Sequence, residues 1–313
     1  MKKAFVVWIG IIAIIIGFFL YQFTKSEYQK KIISPHAQLA TPTKIQKVTI
    51  SQKAIFVPYW GVSKTLNTSE YTSAIYFGIT PDSTGINKNE DGYKTLAAFV
   101  ANQTSKRKLL TIRMITPEIN DKALHDSTFQ KNIIIQSIQI AKENGFDGIV
   151  LDFEYSGIPF DPLVQSITTL SKNFALKTHK NNLLFYQMLY GDSFYRVRPF
   201  DIGVIADSSD GVFVMAYDLH KARGNAGPNF PLKDNDYSFS EMITAFLEKV
   251  PAQKITVIFG MFGYDWKEND KGQSVGTASS VSLLVAQQKF LASCHFNQCR
   301  VIRDPMSTEQ QVI

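Results

Sequence analysis

The stretch Asp147-Gly148-Ile149-Val150-Leu151-Asp152-Phe153-Glu154 combines β-branched and aromatic residues with carboxylates two positions apart. That composition predicts a strand, and side chains alternate between the two faces of a strand. Gly148, Val150, Asp152 and Glu154 therefore share one side, with Ile149, Leu151 and Phe153 on the other. The apolar set suits packing under helices, which leaves Asp152 and Glu154 stacked roughly 7 Å apart on the opposite face. Two such carboxylates are costly to bury unless their ionisation is coupled or a ligand uses them. Either a catalytic pair or a pair bound to loop amides or to nearby Arg113 meets that cost.

Outward from this stretch, β-rich runs over 54–58, 73–78, 108–115, 148–154, 182–189, 212–217 and 254–261 alternate with helical spacing over 93–103, 129–144, 162–180 and 240–250. Strand and helix in alternation predict a parallel α/β fold, and about seven units favour a (β/α)8-type TIM barrel. In a barrel the two carboxylates face inward, and Glu154 stands at the C-terminal mouth where such folds carry their sites. An open doubly wound sheet is the alternative. It usually has a Gly-rich phosphate loop after its first strand, and Pro58-Tyr59-Trp60-Gly61 is not one.

Met1-Lys2-Lys3 precedes an apolar run over residues 4–21 that no small-residue cleavage signal follows. It predicts a signal anchor, a transmembrane helix over 4–23, that displays the remainder outside the membrane. Residues 24–52 are polar, hold Pro35 and Pro42, and suit a linker to a domain spanning 53–313. The net charge of +6 is scattered rather than gathered, which argues against nucleic acid and for a weak bias toward anionic surfaces such as a cell wall. The five histidines are far apart and the two cysteines, Cys294 and Cys299, do not form a Cys-x-x-Cys pair. No metal site or cofactor is expected; the cysteines suit a small disulfide loop or two thiols.

The quoted strand resembles the Asp-x-x-Asp-x-Asp-x-Glu signature of family 18 glycoside hydrolases, the chitinase family. Met215-Ala216-Tyr217-Asp218 resembles that family's Met-x-Tyr-Asp motif, and Gly227-Pro228 with Gly263-Tyr264-Asp265-Trp266 is similar to its peptidoglycan-cleaving, spore-cortex-lytic branch. The resemblance implies a retaining mechanism in which the substrate's own 2-acetamido oxygen is the nucleophile. It assigns Glu154 as general acid and base, Asp152 as partner of the acetamido N–H, and Tyr217 as partner of the acetamido oxygen. Asp218 and Met215 are implied in sugar binding, and the expected substrate is a polysaccharide containing N-acetylglucosamine. Tyr59 and Tyr190, each following a strand at the mouth, are candidates for stacking on sugar faces.

The chain departs from the pattern at three places. Val150 replaces the middle aspartate, which gives Asp152 an apolar floor and predicts a raised pKa. Thr111-Ile112-Arg113-Met114 stands where the family commonly has Ser-x-Gly-Gly. No eighth strand is apparent before Ile313, so the barrel is expected to be incomplete on its C-terminal side. A glycan-binding protein without catalysis is the alternative these departures leave open.

Overall fold

The computed structural model describes residues 53–63, 67–233, 237–291 and 301–312. Its centre is a seven-stranded parallel sheet. The strands are β1 (Ala54–Pro58), β2 (Ser73–Ile79), β3 (Arg107–Met114), β4 (Gly148–Phe153), β5 (Leu184–Tyr190), β6 (Gly211–Met215) and β7 (Ile255–Ile258). Each pairs with the next in the chain, the progression of a (β/α) barrel, and among the described residues no eighth strand joins β7 to β1. The anchor and linker expected over 4–23 and 24–52, like Cys294 and Cys299, lie outside the described residues. Within them, no helix is long and apolar enough to cross a membrane.

Helices α1 (Asp91–Asn102), α2 (Pro117–His125), α3 (Ser127–Glu143), α4 (Asp161–His179), α5 (Ile202–Ser208) and α6 (Phe239–Leu247) lie between the strands in the chain. Their starts are written locally. Asp126 caps α3 by accepting from Thr128 and Phe129 N–H, and Ser238 caps α6 by accepting from Glu241 N–H. Pro162 fits the first turn of α4, where no N–H is needed. In α4 the buried Leu163, Ile167, Leu170, Phe174 and Ala175 recur at helical spacing and face the sheet. Two short helices escape the periodicity: α5 offers only about two turns, and α2 buries just Asn120 and Ala123, so it carries no apolar stripe.

Strand parity holds. Ile149, Leu151 and Phe153 belong to the layer between sheet and helices, whereas Val150 joins Ile75, Leu109, Met188, Phe213 and Met215 in a separate buried cluster on the other face. That inner cluster is the filled barrel interior, tightened by an edge-on contact of Phe56 with Phe213 at 5.5 Å. A glycine is required where α1 meets the end of β2, because a Cβ on Gly92 would fall 1.8 Å from the Gly78 carbonyl oxygen.

The expected β6 and β7 run too long. Ala216 N–H to Ile258 O is the last rung between them, and Asp218 then takes φ 58°, turning the chain away. Tyr217 and Met261 consequently sit in the loops above the strands rather than in the ladder.

Candidate active site

Glu154 follows the last residue of β4, and its backbone is held from two sides. Its N–H donates to Met114 O at 2.9 Å, and the buried Asn120 on α2 donates its amide to both Met114 O (2.9 Å) and Glu154 O (2.6 Å). The ends of β3 and β4 are thereby pinned together. Asn120 was not legible as a site residue, since α2 carries no apolar stripe to mark its buried face.

The Glu154 side chain meets Tyr190 from the end of β5, whose hydroxyl stands 3.5 Å from Oε2, at the outer limit of a hydrogen bond. Burial raises the Glu154 pKa, with the Asp218 charge adding to it; Tyr190, Arg113 and Arg198 oppose the rise. Tyr190 is itself set in place by Arg198, whose guanidinium lies 4.0 Å over the ring. Arg198 is in turn fixed by the buried Asp192, which accepts from Arg198 Nε (2.9 Å) and from Arg196 (2.7 Å).

Asp152 is 1% exposed, and neither carboxyl oxygen has a hydrogen-bond partner. Its pKa is pushed up to about 8, first by burial and then by the Glu154 charge, against a lowering by Arg113. Val150 lies two residues below it on the same face, fully buried in the apolar interior, as the parity of the strand requires. Arg113 stands opposite Asp152 in the β3–β4 register, yet the two make no ion pair. Its guanidinium stacks 4.5 Å over Phe77 instead. The alternative in which Arg113 or loop amides satisfy Asp152 is therefore not what the structure has.

Tyr217 and Met215 reach the same interior from β6 and the loop above it, Met215 buried and Tyr217 partly so. Burial raises the Tyr217 pKa, and the neighbouring Asp152, Glu154 and Asp218 charges add to the rise, so its hydroxyl keeps its proton and is available as a donor. Asp218 accepts from the Tyr264 hydroxyl at 2.6 Å, and its own N–H donates to Asn229 Oδ1 at 2.7 Å. Tyr264 stands on β8 (Phe262–Asp265), which forms an antiparallel ladder with β9 (Ser279–Ser282).

Tyr59 sits apart from this group. It opens a 3-10 turn after β1 and lines a cavity of about 480 Å³ together with Thr80, Asn89, Glu90, Arg113 and Thr116; neither Asp152 nor Glu154 lines that cavity. Arg113 is its link to the carboxylates. Six of the seven expected residues thus gather at one end of the sheet, and Tyr59 occupies a neighbouring recess.

Parallel strands in barrel order with a buried aspartate, a half-buried glutamate and proton-bearing phenols at their C-terminal ends have the make-up of a barrel glycoside hydrolase. Residues 52–309 match the model of glycosyl hydrolases family 18, and the chain belongs to that family. It is 24% identical over 157 residues to the putative sporulation-specific glycosylase YdhD of Bacillus subtilis, covering 50% of this chain and 36% of that one. It is 24% identical over 254 residues to a class V chitinase of Arabidopsis thaliana, covering 70% and 64%. The chain thus spans about a third of the first relative and just under two-thirds of the second. Among solved structures, a family 18 chitinase of Cycas revoluta in complex with (GlcNAc)3 superposes with a TM-score of 0.71 at 21% identity, over 84% of this chain and 85% of that one.

Proposed function

We propose that the chain hydrolyses β-1,4-linked N-acetylglucosamine glycans, chitin-like or peptidoglycan, by substrate-assisted retaining catalysis. The observation that carries this reading is the Asp152–Glu154 pair: one inward strand face, one carboxyl group wholly buried with both oxygens unpartnered, the other at the mouth with a raised pKa.

In this mechanism Glu154 gives its proton to the glycosidic oxygen as that bond to the anomeric carbon breaks. The substrate's acetamido oxygen forms the new bond to the same carbon, giving an oxazolinium ring and freeing the leaving sugar as an alcohol. Asp152, which holds a proton at rest, gives it up to solvent as substrate binds; one of its oxygens then accepts the acetamido N–H, and the positive charge developing on the ring stabilises the carboxylate. The Tyr217 hydroxyl donates to the acetamido oxygen and holds it under the anomeric carbon. Glu154, now a carboxylate, takes a proton from water as the water oxygen bonds to the anomeric carbon and the ring reopens. Asp218, Met215, Tyr190 and Tyr59 are assigned to sugar binding.

The test is reducing-end release from N-acetylglucosamine oligomers and from purified peptidoglycan, beside glucose oligomers of equal length. Cleavage confined to acetamido sugars, with retained anomeric configuration, supports the mechanism; equal cleavage of glucose oligomers rules out acetamido participation. Binding of the oligomers without cleavage leaves the lectin reading, which Val150 in place of an aspartate motivates. Tyr217→Phe is expected to lower kcat by roughly 10- to 100-fold, about the loss of one hydrogen bond that strengthens in the transition state, with KM changed little. Arg113→Met removes the positive charge that lowers both carboxyl pKa values, so the alkaline limb of the pH–rate profile, set by loss of the Glu154 proton, moves to higher pH. An unmoved limb contradicts that role for Arg113.

We further propose, from the apolar run over residues 4–21, that residues 4–23 anchor the chain and the 24–52 linker holds the barrel outside the membrane. Release of the barrel by protease from intact cells tests it.

A further inference from the structure

Asp218 holds a left-handed backbone conformation, φ 58°, that a non-glycine residue keeps only when its surroundings impose it. Here they are explicit. Asp218 N–H donates to Asn229 Oδ1 (2.7 Å) and Leu219 N–H donates to Asn229 O (3.0 Å), so two consecutive amides of the turn close on one residue. Asn229 is 3% exposed and lies in Pro228-Asn229-Phe230-Pro231. Proline has no N–H, so within these four residues only Asn229 and Phe230 can donate from the backbone.

Both amides go to one carboxylate. Asn229 N–H donates to Glu309 Oε2 at 2.9 Å and Phe230 N–H to Glu309 Oε1 at 2.5 Å, from a residue some eighty positions later. Glu309 is carried by the turn between β10 (Val301–Arg303) and β11 (Gln310–Val312). That turn is internally built: Asp304 Oδ1 accepts from Met306 N–H (3.0 Å) and Ser307 N–H (2.6 Å), and Asp304 N–H donates to Glu309 O (2.9 Å). Leu232 N–H donates to Ser307 O at 3.1 Å, a second tie between the hairpin and the loop.

We infer that Glu309 is a positioning residue for the reaction: through Asn229 it fixes the Asp218 turn, and with it the placement of Tyr217 beside Asp152 and Glu154. The inference rests on the proposed function for what the turn does, but not for how the turn is held. A charged acceptor shared by two amides is stronger than a neutral one, and removing it leaves two donors in a part-buried site without partners. Small displacements remote from the chemistry can cost about a hundredfold in rate.

Glu309→Ala is expected to lower kcat roughly tenfold or more with KM within about twofold, and Glu309→Gln, which keeps one acceptor oxygen, to recover part of the loss. In a Tyr217→Phe background the Glu309→Ala loss shrinks, because the brace acts on the rate through the placement of the Tyr217 hydroxyl. Equal fold losses in the two backgrounds, or a lowered Tm with unchanged kcat, overturn the inference. Amide hydrogen exchange gives a readout independent of turnover and of the alanine variant's folding: in Glu309→Gln the Asp218 and Leu219 amides exchange faster than in wild type. Unchanged protection there overturns the brace itself, whereas a wild type that cleaves no N-acetylated glycan defeats the functional reading and leaves the brace to be judged by exchange alone.

Discussion

With Glu154 as the proposed general acid, Glu154→Gln is expected to lower kcat on N-acetylglucosamine oligomers by about 10³-fold, within the 10²- to 10⁴-fold range of such a group, with oligomer binding retained. The expectation combines what the substitution removes with what it spares. An amide cannot deliver a proton to the glycosidic oxygen. The backbone of residue 154 is held by Met114 O and by Asn120, through its N–H and its carbonyl oxygen, which the substitution leaves unchanged. The Tyr190 hydroxyl can donate to an amide oxygen as it does to Oε2, so the ring stays in position. Turnover by the variant at more than a tenth of the wild-type rate would exclude Glu154 as the acid. Calorimetric titration with the same oligomer separates lost chemistry from lost binding.

Asp152→Asn is expected to cost activity and to add stability, with the gain dependent on pH. In the folded chain the Asp152 pKa is about 8, against 3.8 for an ordinary aspartate, so between these values the folded state holds a proton that the unfolded state has released. Stability then falls as pH rises across that window, and this contribution of Asp152 is most favourable below pH 4. Asparagine carries no such penalty. Relative to wild type, the variant gains little Tm near pH 4 and gains most near pH 8, on the order of 1–3 kcal/mol or a few degrees. In the same variant kcat falls about 10²-fold or more, since no carboxylate forms to meet the oxazolinium charge. A gain in Tm that is equal at pH 4 and pH 8 contradicts the buried, proton-holding state of Asp152. The two readouts move in opposite senses, as expected where a fold carries an ill-solvated group for its chemistry rather than its stability.

Much of this architecture was legible because it obeys short periods. Alternation along 148–154 placed Val150, Asp152 and Glu154 on the interior face and Ile149, Leu151 and Phe153 under the helices, which is where they lie. The seven strands were found within a few residues of their ends, and the errors fell where chain direction is decided by distant partners. The β6 end is an instance: what stops it is a turn at Asp218 stabilised by Asn229. Tyr264 as the partner of Asp218, Asn120 as the pin of Glu154 and Glu309 as the holder of residues 229–230 depend on contacts 46, 34 and 80 residues apart. No local pattern announces such contacts. Arg113 was visible as a departure from the family pattern, but its choice of the Phe77 ring over the Asp152 carboxylate depends on side-chain geometry that spacing does not encode.

Because strand order in the sheet follows chain order, each strand emerging from a ribosome finds its partner already made. Assembly can proceed vectorially, because the entropic cost of closing each crossover connection grows only slowly with its length. Asp152 on β4 and Glu154 just after it are in place once β4 has paired with β3, before β5 to β7 are made. The turn that orients Tyr217, by contrast, is completed only when Glu309 arrives. During synthesis the sheet, complete at Ile258, precedes the bracing of that turn by about fifty residues, and in refolding the far-ultraviolet signal is expected to recover ahead of turnover.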